Sequence, residues 1–207
     1  MASERATRRG LLVDWGGVLT TNLFAGFNAF CAKEGLERDA IAAAFRTDPG
    51  AREMVVALET GRLPETEFEQ GLASLLGVDG PGLIDRLFAG SALEPAMIEA
   101  VAAARVAGIR TGLISNSWGT RRYDRALLAR LFDGIVISGE VGMRKPTPEM
   151  YTRGAEVIGV PTSQCVFVDD LPFNLPPAEE LGMATVHHVT AEQTIAELED
   201  LLGVRLQ

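Results

Sequence analysis

The chain has 207 residues, 47% of them hydrophobic and 23% charged, and a formal net charge of −9. That length can bury an apolar core without disulfide or metal staples, so one domain or a core with a modest insertion is expected. The acidic balance and the lack of a basic run exclude a protein that grips nucleic-acid phosphates, and no apolar run approaches the roughly 20 residues that cross a bilayer.

The opening "MASERATRRG" is short and charged, and its apolar continuation stops at Asp14, so it lacks the apolar region of a secretory leader. Cys31 and Cys165 match neither a disulfide framework nor a zinc spacing and are expected as free buried thiols. A cytoplasmic protein, monomer or homodimer, is the expectation.

The apolar runs "LLV", "RTGLIS", "GIVIS", "CVFVD" and "MATVHHV" recur between helical patterns, which predicts an α/β fold: a doubly wound, mostly parallel, Rossmann-like sheet. "PAMIEAVAAARVAG" predicts a helix with Pro95 in its first turn and Gly108 at its end. "TPEMYTRGAEVIG" repeats the plan, with Thr147 as N-cap, Pro148 in the first turn and Gly159 as stop.

Residues 22–90 differ, reading as successive helices without a convincing strand. Phe27, Phe30 and Cys31 fall on one helical face; Phe68, Leu72, Leu75 and Leu76 form a second stripe; Leu83, Ile84, Leu87 and Phe88 form a third. The expected division is a core domain of residues 1–20 and 92–207 and a helical cap of residues 21–91, hinged at Thr20–Asn22 and Gly90–Ser91.

In a doubly wound sheet, ligands bind outside the carboxyl ends of the strands. The predicted strand ends deliver Asp14, then Ser115 with Asn116, then Lys145 in "GEVGMRKPTPEMY", then Asp169 and Asp170 in "CVFVDDLPFN". Three carboxylates at one rim repel and either raise one another's pKa or share a cation. Hard oxygen ligands without nearby histidine or cysteine suit Mg²⁺, which retains waters and needs few carboxylates beside a substrate phosphate. A carboxylate there can attack phosphorus, while a hydroxyl and an ammonium hold the non-bridging oxygens. Gly16 and Gly17 allow a sharp turn that brings backbone N–H groups near an anion.

These four stretches, in this order, resemble the four motifs of the haloacid dehalogenase superfamily, and residues 22–90 resemble the helical cap inserted after its first motif. The resemblance implies Asp14 as nucleophile, Ser115 and Lys145 as phosphate holders, and Asp170 as direct Mg²⁺ ligand. It further implies Asp169 acting through water or a hydrogen bond, the Gly16 carbonyl on the metal, and Asn174 steadying the loop that carries the acids. Gly17, Asn22, Asn116 and Trp118 are candidate substrate contacts. Phe24 is read mainly as packing, Arg121 and Arg122 as a solvated helix start, and His187 and His188 as structural.

One position departs from the family pattern. Most phosphatases similar to this chain carry a second aspartate two residues after the nucleophile, where this sequence has Gly16; that residue supplies acid–base help typically worth 10²–10⁴-fold. A good leaving group, as in an aryl or acyl phosphate, suffers least from its absence. "DWGGVL" resembles the phosphatase domains attached to epoxide hydrolases. Three outcomes stay open on the sequence: a Mg²⁺-dependent phosphatase of a small phosphate ester or anhydride, a metal-free dehalogenase, and a binding protein that kept the fold without turnover. Asp169–Asp170 argues against the dehalogenase, because two uncompensated carboxylates disfavour a charged nucleophile and a carboxylate substrate beside them.

Overall fold

The computed structural model describes residues 8–207, so most of "MASERATRRG" lies outside the described residues. Five short strands, β1 (Gly10–Val13), β2 (Arg110–Ser115), β3 (Gly134–Ile137), β4 (Cys165–Asp169) and β5 (Ala184–His187), build one sheet. Every pairing is parallel and the order is β3-β2-β1-β4-β5. The chain winds outward from β1 first to one side and then to the other, so the switch point lies between β1 and β4. The runs "GIVIS" and "MATVHHV" end earlier than their composition suggests: Ser138 opens a helix, and β5 ends at His187, the His188 N–H making the last bond to β4 at the Asp169 carbonyl.

Helices α1 (Leu23–Glu34), α2 (Ala40–Thr47), α3 (Pro49–Glu59), α4 (Glu65–Leu76) and α5 (Leu83–Leu87) follow β1. The sheet is then flanked by α6 (Pro95–Val106), α7 (Arg125–Leu131), α8 (Ser138–Val141), α9 (Pro148–Ile158), α10 (Pro176–Glu180) and α11 (Ala191–Leu202). Strand side chains alternate between the two faces. Leu11 and Val13 join Leu113, Val166 and Val168 against α6, α7 and α11, while Leu12, Ile114, Val136 and Phe167 pack against α9 and α10. Both faces are therefore covered, as an all-parallel sheet requires.

Helices α1–α5 enclose a separate apolar cluster that includes Phe30, Cys31, Ile41, Leu58, Phe68, Leu72, Leu83, Ile84 and Leu87. Leu75 departs from its expected stripe and is 44% exposed, because no neighbouring helix covers the seventh position of that face. The two chain crossings between helical block and sheet run side by side. Thr20 and Leu93 form an antiparallel bridge, Thr21 N–H donates to the Ala92 carbonyl at 2.8 Å, and Glu94 N–H donates to the Leu19 carbonyl at 2.9 Å. Where the block meets the sheet end, Gly61 has φ +70° and a Cβ on it would lie 2.7 Å from the Gly139 carbonyl oxygen, so the turn after α3 rests directly on α8.

Gly159 closes α9 in the left-handed conformation, as its position implies, but Thr147 does not cap that helix through its side chain. Its hydroxyl donates instead to the Arg144 carbonyl at 2.8 Å, bracing the loop that carries Lys145.

Candidate active site

The strand ends converge as the winding requires. Asp14 is the first residue past β1, fixed there by its N–H donating to the Val168 carbonyl at 3.0 Å. Asp169 ends β4 and Ser115 ends β2. Lys145, from the loop between α8 and α9, reaches in with no exposed surface. Its Nζ lies 2.9 Å from Asp14 Oδ1 and 2.5 Å from Asp169 Oδ2. Burial disfavours the ammonium, yet Asp14 and Asp169 outweigh it and hold the Lys145 pKa above the ordinary lysine value.

Asp14 Oδ1 also accepts the Trp15 N–H at 2.7 Å. Its Oδ2 takes no hydrogen bond from the described residues, and the side chain lines a cavity of about 600 Å³. Burial raises the Asp14 carboxyl to about 7, with Lys145 pulling it down and Asp169 and Asp170 pushing it up. Asp169 is spoken for on both oxygens: Oδ2 by Lys145, and Oδ1 by the Leu171 N–H at 2.9 Å and the Asn174 Nδ2 at 3.0 Å. Asp170 is freer, and burial together with the Asp169 carboxylate raises it to about 6.

The acids fit a hard divalent cation. Asp14, Asp169 and Asp170 each offer one carboxylate oxygen, and these lie within 4.8 Å of one another. Fully ionised, as a bound cation would hold them, the three carboxylates exceed the single Lys145 ammonium by two negative charges, which one divalent ion would cancel. Gly17 has φ +74°, and a Cβ there would overlap Asp170 Oδ2, so glycine at this position is what gives that carboxylate its place. Asn174 is buried, donates to Asp169 and accepts the Tyr151 hydroxyl on its carbonyl at 2.7 Å, which ties the acid-bearing loop to α9. Its Oδ1 is a buried acceptor without a donor, and the residue lines the same cavity.

Several expected contacts are differently employed. Ser115 Oγ lies 2.8 Å from the Tyr123 hydroxyl, which joins the cavity wall, and burial raises the pKa of that phenol. Asn116 spends both amide atoms on the Lys145 backbone: Oδ1 accepts its N–H at 2.8 Å and Nδ2 donates to its carbonyl at 3.0 Å. It positions the lysine rather than offering its amide to a ligand. The Gly17 N–H donates to Thr20 Oγ1 at 3.3 Å and is not presented to the cavity. Asn22 lies outside the main cavity, because its Oδ1 caps α1 by accepting the Phe24 N–H at 2.9 Å and the Ala25 N–H at 3.3 Å. Phe24, read as packing, is 47% exposed and lines the cavity.

Trp118 lines the cavity and also links the two halves. Its ring packs against Phe27, Phe45, Phe68 and Phe88 of the helical block at centroid distances of 5.2–5.8 Å. Its Nε1 donates to Glu59 Oε1 at 3.1 Å, and Arg144 Nε meets the other Glu59 oxygen at 2.5 Å. Burial raises the Glu59 carboxyl, partly offset by Arg144. Arg121 and Arg122 precede α7 rather than open it: both pair with Glu65, at 3.1 and 3.0 Å, and Arg122 reaches Asp85 at 2.6 Å, while the Arg121 side chain stays exposed to solvent as expected. Glu59, Asp85, Tyr123 and Arg144 are among the cavity residues that sequence reasoning missed. The one available signal was the arginine beside Lys145 in "MRKP", which taken alone reads as surface charge.

A model of the haloacid dehalogenase-like hydrolase family matches residues 9–182. Among curated proteins, the chain is 28% identical over 130 residues to bifunctional epoxide hydrolase 2 of Rattus norvegicus, a match covering 59% of this chain and 24% of that protein. It is 38% identical over 73 residues to sesquiterpene phosphatase astK of Aspergillus oryzae, covering 35% of this chain and 37% of that one. The matched stretch is thus about a quarter of the length of the epoxide hydrolase. Among solved structures, a predicted HAD-like family hydrolase from Porphyromonas gingivalis superposes with a TM-score of 0.71 at 22% identity, over 97% of this chain and 100% of that one. A HAD family enzyme from Bacteroides thetaiotaomicron in a magnesium complex gives 0.65 at 21% identity, over 88% and 94% of the two chains. Both likenesses show the shared fold.

Proposed function

The chain belongs to the haloacid dehalogenase-like hydrolase family, and on that footing we propose that it is a Mg²⁺-dependent phosphatase of a small phosphate ester or anhydride, with Asp14 as nucleophile. The observation that carries this reading is Asp14 itself: one carboxylate oxygen held by Lys145 and the Trp15 N–H, the other unengaged at the floor of the cavity. A carboxylate so fixed presents one lone pair in a set direction, the near-attack arrangement that displacement at phosphorus needs.

In the proposed reaction Asp14 Oδ2 forms a bond to phosphorus as the bond to the leaving oxygen breaks, and that oxygen departs with the electron pair. Water then attacks the aspartyl phosphate, inorganic phosphate leaves, and the Asp14 carboxylate is regenerated. Lys145 and Ser115 donate to the non-bridging oxygens, with Tyr123 and Asn116 holding those two donors in place. Asp14, Asp170 and the Gly16 carbonyl would hold Mg²⁺, with Asp169 acting through water or its hydrogen bonds. The cation supplies charge neutralisation, letting a phosphate approach a rim that is otherwise anionic. Asp169 and Asp170 beside the nucleophile disfavour a haloacid, whose own carboxylate they would repel.

Residues 21–91 are proposed as a cap on a core of residues 1–20 and 92–207, a division supported by the separate apolar cluster of α1–α5 and the paired crossings. A cytoplasmic location is proposed from Cys31 and Cys165, both buried free thiols. The test is phosphate release from acetyl phosphate and p-nitrophenyl phosphate, with Mg²⁺ and with chelator. Turnover that needs Mg²⁺ and vanishes in Asp14→Asn supports the proposal; turnover surviving that substitution removes Asp14 as nucleophile.

A further inference from the structure

The cavity has two unlike halves. Its floor is the charged cluster around Asp14, and its wall, supplied largely by the helical block, is aromatic and aliphatic: Leu23, Phe24, Phe27, Phe45 and Phe88, with Trp118 among them. The carboxylates on the wall are paired with its cations, although Arg122 Nε has no partner and Arg144 is held through Nε alone. Glu59 takes Trp118 Nε1 and Arg144, and Arg122 takes Glu65, Asp85 and the Trp118 carbonyl. A polyhydroxylated substrate would find few free polar partners on this wall, and each hydroxyl left without one is costly.

The same cavity limits the leaving group. Four acids line it: Asp14, Glu59, Asp85 and Asp170. Asp14 and Asp170 belong to the cation cluster, Glu59 is held by Arg144 and Trp118, and Asp85 by Arg122. The space next to Gly16 is occupied by Leu23, whose Cδ1 would lie 2.8 Å from a Cβ there. No uncommitted carboxyl among the described residues of the cavity therefore stands ready to protonate a departing alkoxide. A phenolate, whose conjugate acid has a pKa of about 10, departs without that help.

We infer that the substrate is an aryl phosphomonoester, whose phosphate sits on the polar floor and whose ring lies among Phe24, Phe27, Phe88 and Trp118. This rests on the phosphatase reading above and adds the class of the alcohol. The first step forms the Asp14 Oδ2–P bond and breaks the P–O(aryl) bond. The aryl oxygen leaves with the electron pair and takes its proton from solvent. The ring meets Phe27 and Trp118, themselves 5.5 Å apart, in offset or edge-on contact.

The experiment compares kcat/KM of the full chain with Mg²⁺ on naphthyl, geranyl, glycerol and acetyl phosphates, and measures calorimetric binding of naphthyl phosphate and inorganic phosphate to Asp14→Asn. Naphthyl phosphate is expected to exceed glycerol and geranyl phosphates by at least about 100-fold in kcat/KM. It is also expected to bind Asp14→Asn at least about ten-fold more tightly than inorganic phosphate. Phe24→Ser and Phe88→Ala should each lower the naphthyl-to-acetyl ratio of kcat/KM by about ten-fold. Acetyl phosphate turnover without naphthyl turnover would overturn the inference and leave the phosphatase reading standing, as would geranyl or glycerol phosphate being the better substrate. Failure on all four compounds would overturn both.

Discussion

Glu59, at the end of α3, and Arg144, one residue before Lys145, form an ion pair 2.5 Å apart that ties the helical block to the loop carrying the buried lysine. Glu59 is 6% exposed and accepts Trp118 Nε1 on its other oxygen, so the pair is closed to water on the glutamate side. Removing one partner of such a pair strands the other. Glu59→Gln keeps the indole bond and is expected to cost about 1–3 kcal/mol in urea unfolding, less than a fully buried pair because Arg144 reaches solvent. Arg144→Met should cost more, since it leaves a buried carboxylate without its cation. Equal losses in the two variants would argue that the pair is solvent-screened.

Stability should depend on pH through Asp14. Its folded pKa, about 7, lies above its ordinary value of 3.8, so between those two pH values the folded chain binds more protons at this site than the unfolded chain. Its contribution is greatest at the acid end and is lost as pH rises through about 7. Asp170, raised to about 6, acts in the same sense. Without Mg²⁺, wild type should therefore lose stability relative to Asp14→Asn between pH 5 and 8, measured as the difference of the two melting curves. If Mg²⁺ binds these acids, it should raise Tm more at pH 8 than at pH 5, with the larger effect in wild type. A wild-type minus variant difference that stays flat with pH would contradict this burial-driven shift.

Gly17→Ala is a sharp probe of the acid cluster, since its φ of +74° strains any L side chain and the new methyl overlaps Asp170. A loss of about 1–3 kcal/mol in folding stability is expected. Mg²⁺ affinity, read by calorimetry, should fall by about ten-fold or more as Asp170 is displaced. Wild-type affinity in this variant would remove Asp170 from the cation site.

Gly16→Asp would place a carboxylate two residues after Asp14, but its Cβ would lie 2.8 Å from Leu23 Cδ1, so that side chain must shift. The single substitution is expected to give little gain. Combined with Leu23→Ala, it should raise hydrolysis of alkyl phosphates by about 10–100-fold while changing aryl phosphates little. Equal gains on both substrate types would show that the new carboxyl acts other than as an acid for the leaving group.

The strand ends were legible because a buried parallel strand reads as an apolar run, and its first polar residue marks the rim. Asp14, Ser115 and Asp169 could be placed that way from order alone. Asn22 and Asn116 looked equally available, but their amides are consumed locally, one as a helix cap and one on the Lys145 backbone. Glu59 and Tyr123 were not legible, because their roles come from tertiary contacts: Glu59 meets Trp118 and Arg144 across the helical block, and Tyr123 meets Ser115 at the sheet end. Glu59 reaches a partner 85 positions away, and no periodicity encodes that. Leu75 shows the converse: its spacing fits an apolar stripe, yet burial depends on whether a neighbouring helix covers that face.

The most direct measurement is the chemical state of Asp14 during turnover. Wild type mixed with acetyl phosphate and Mg²⁺, quenched in acid within one turnover and digested, should carry a phosphoryl group on the peptide containing Asp14. The mark should be lost with chelator and in Asp14→Asn. A phosphoryl group on another residue, or steady hydrolysis with no covalent intermediate at Asp14, would contradict the proposed role of this carboxylate.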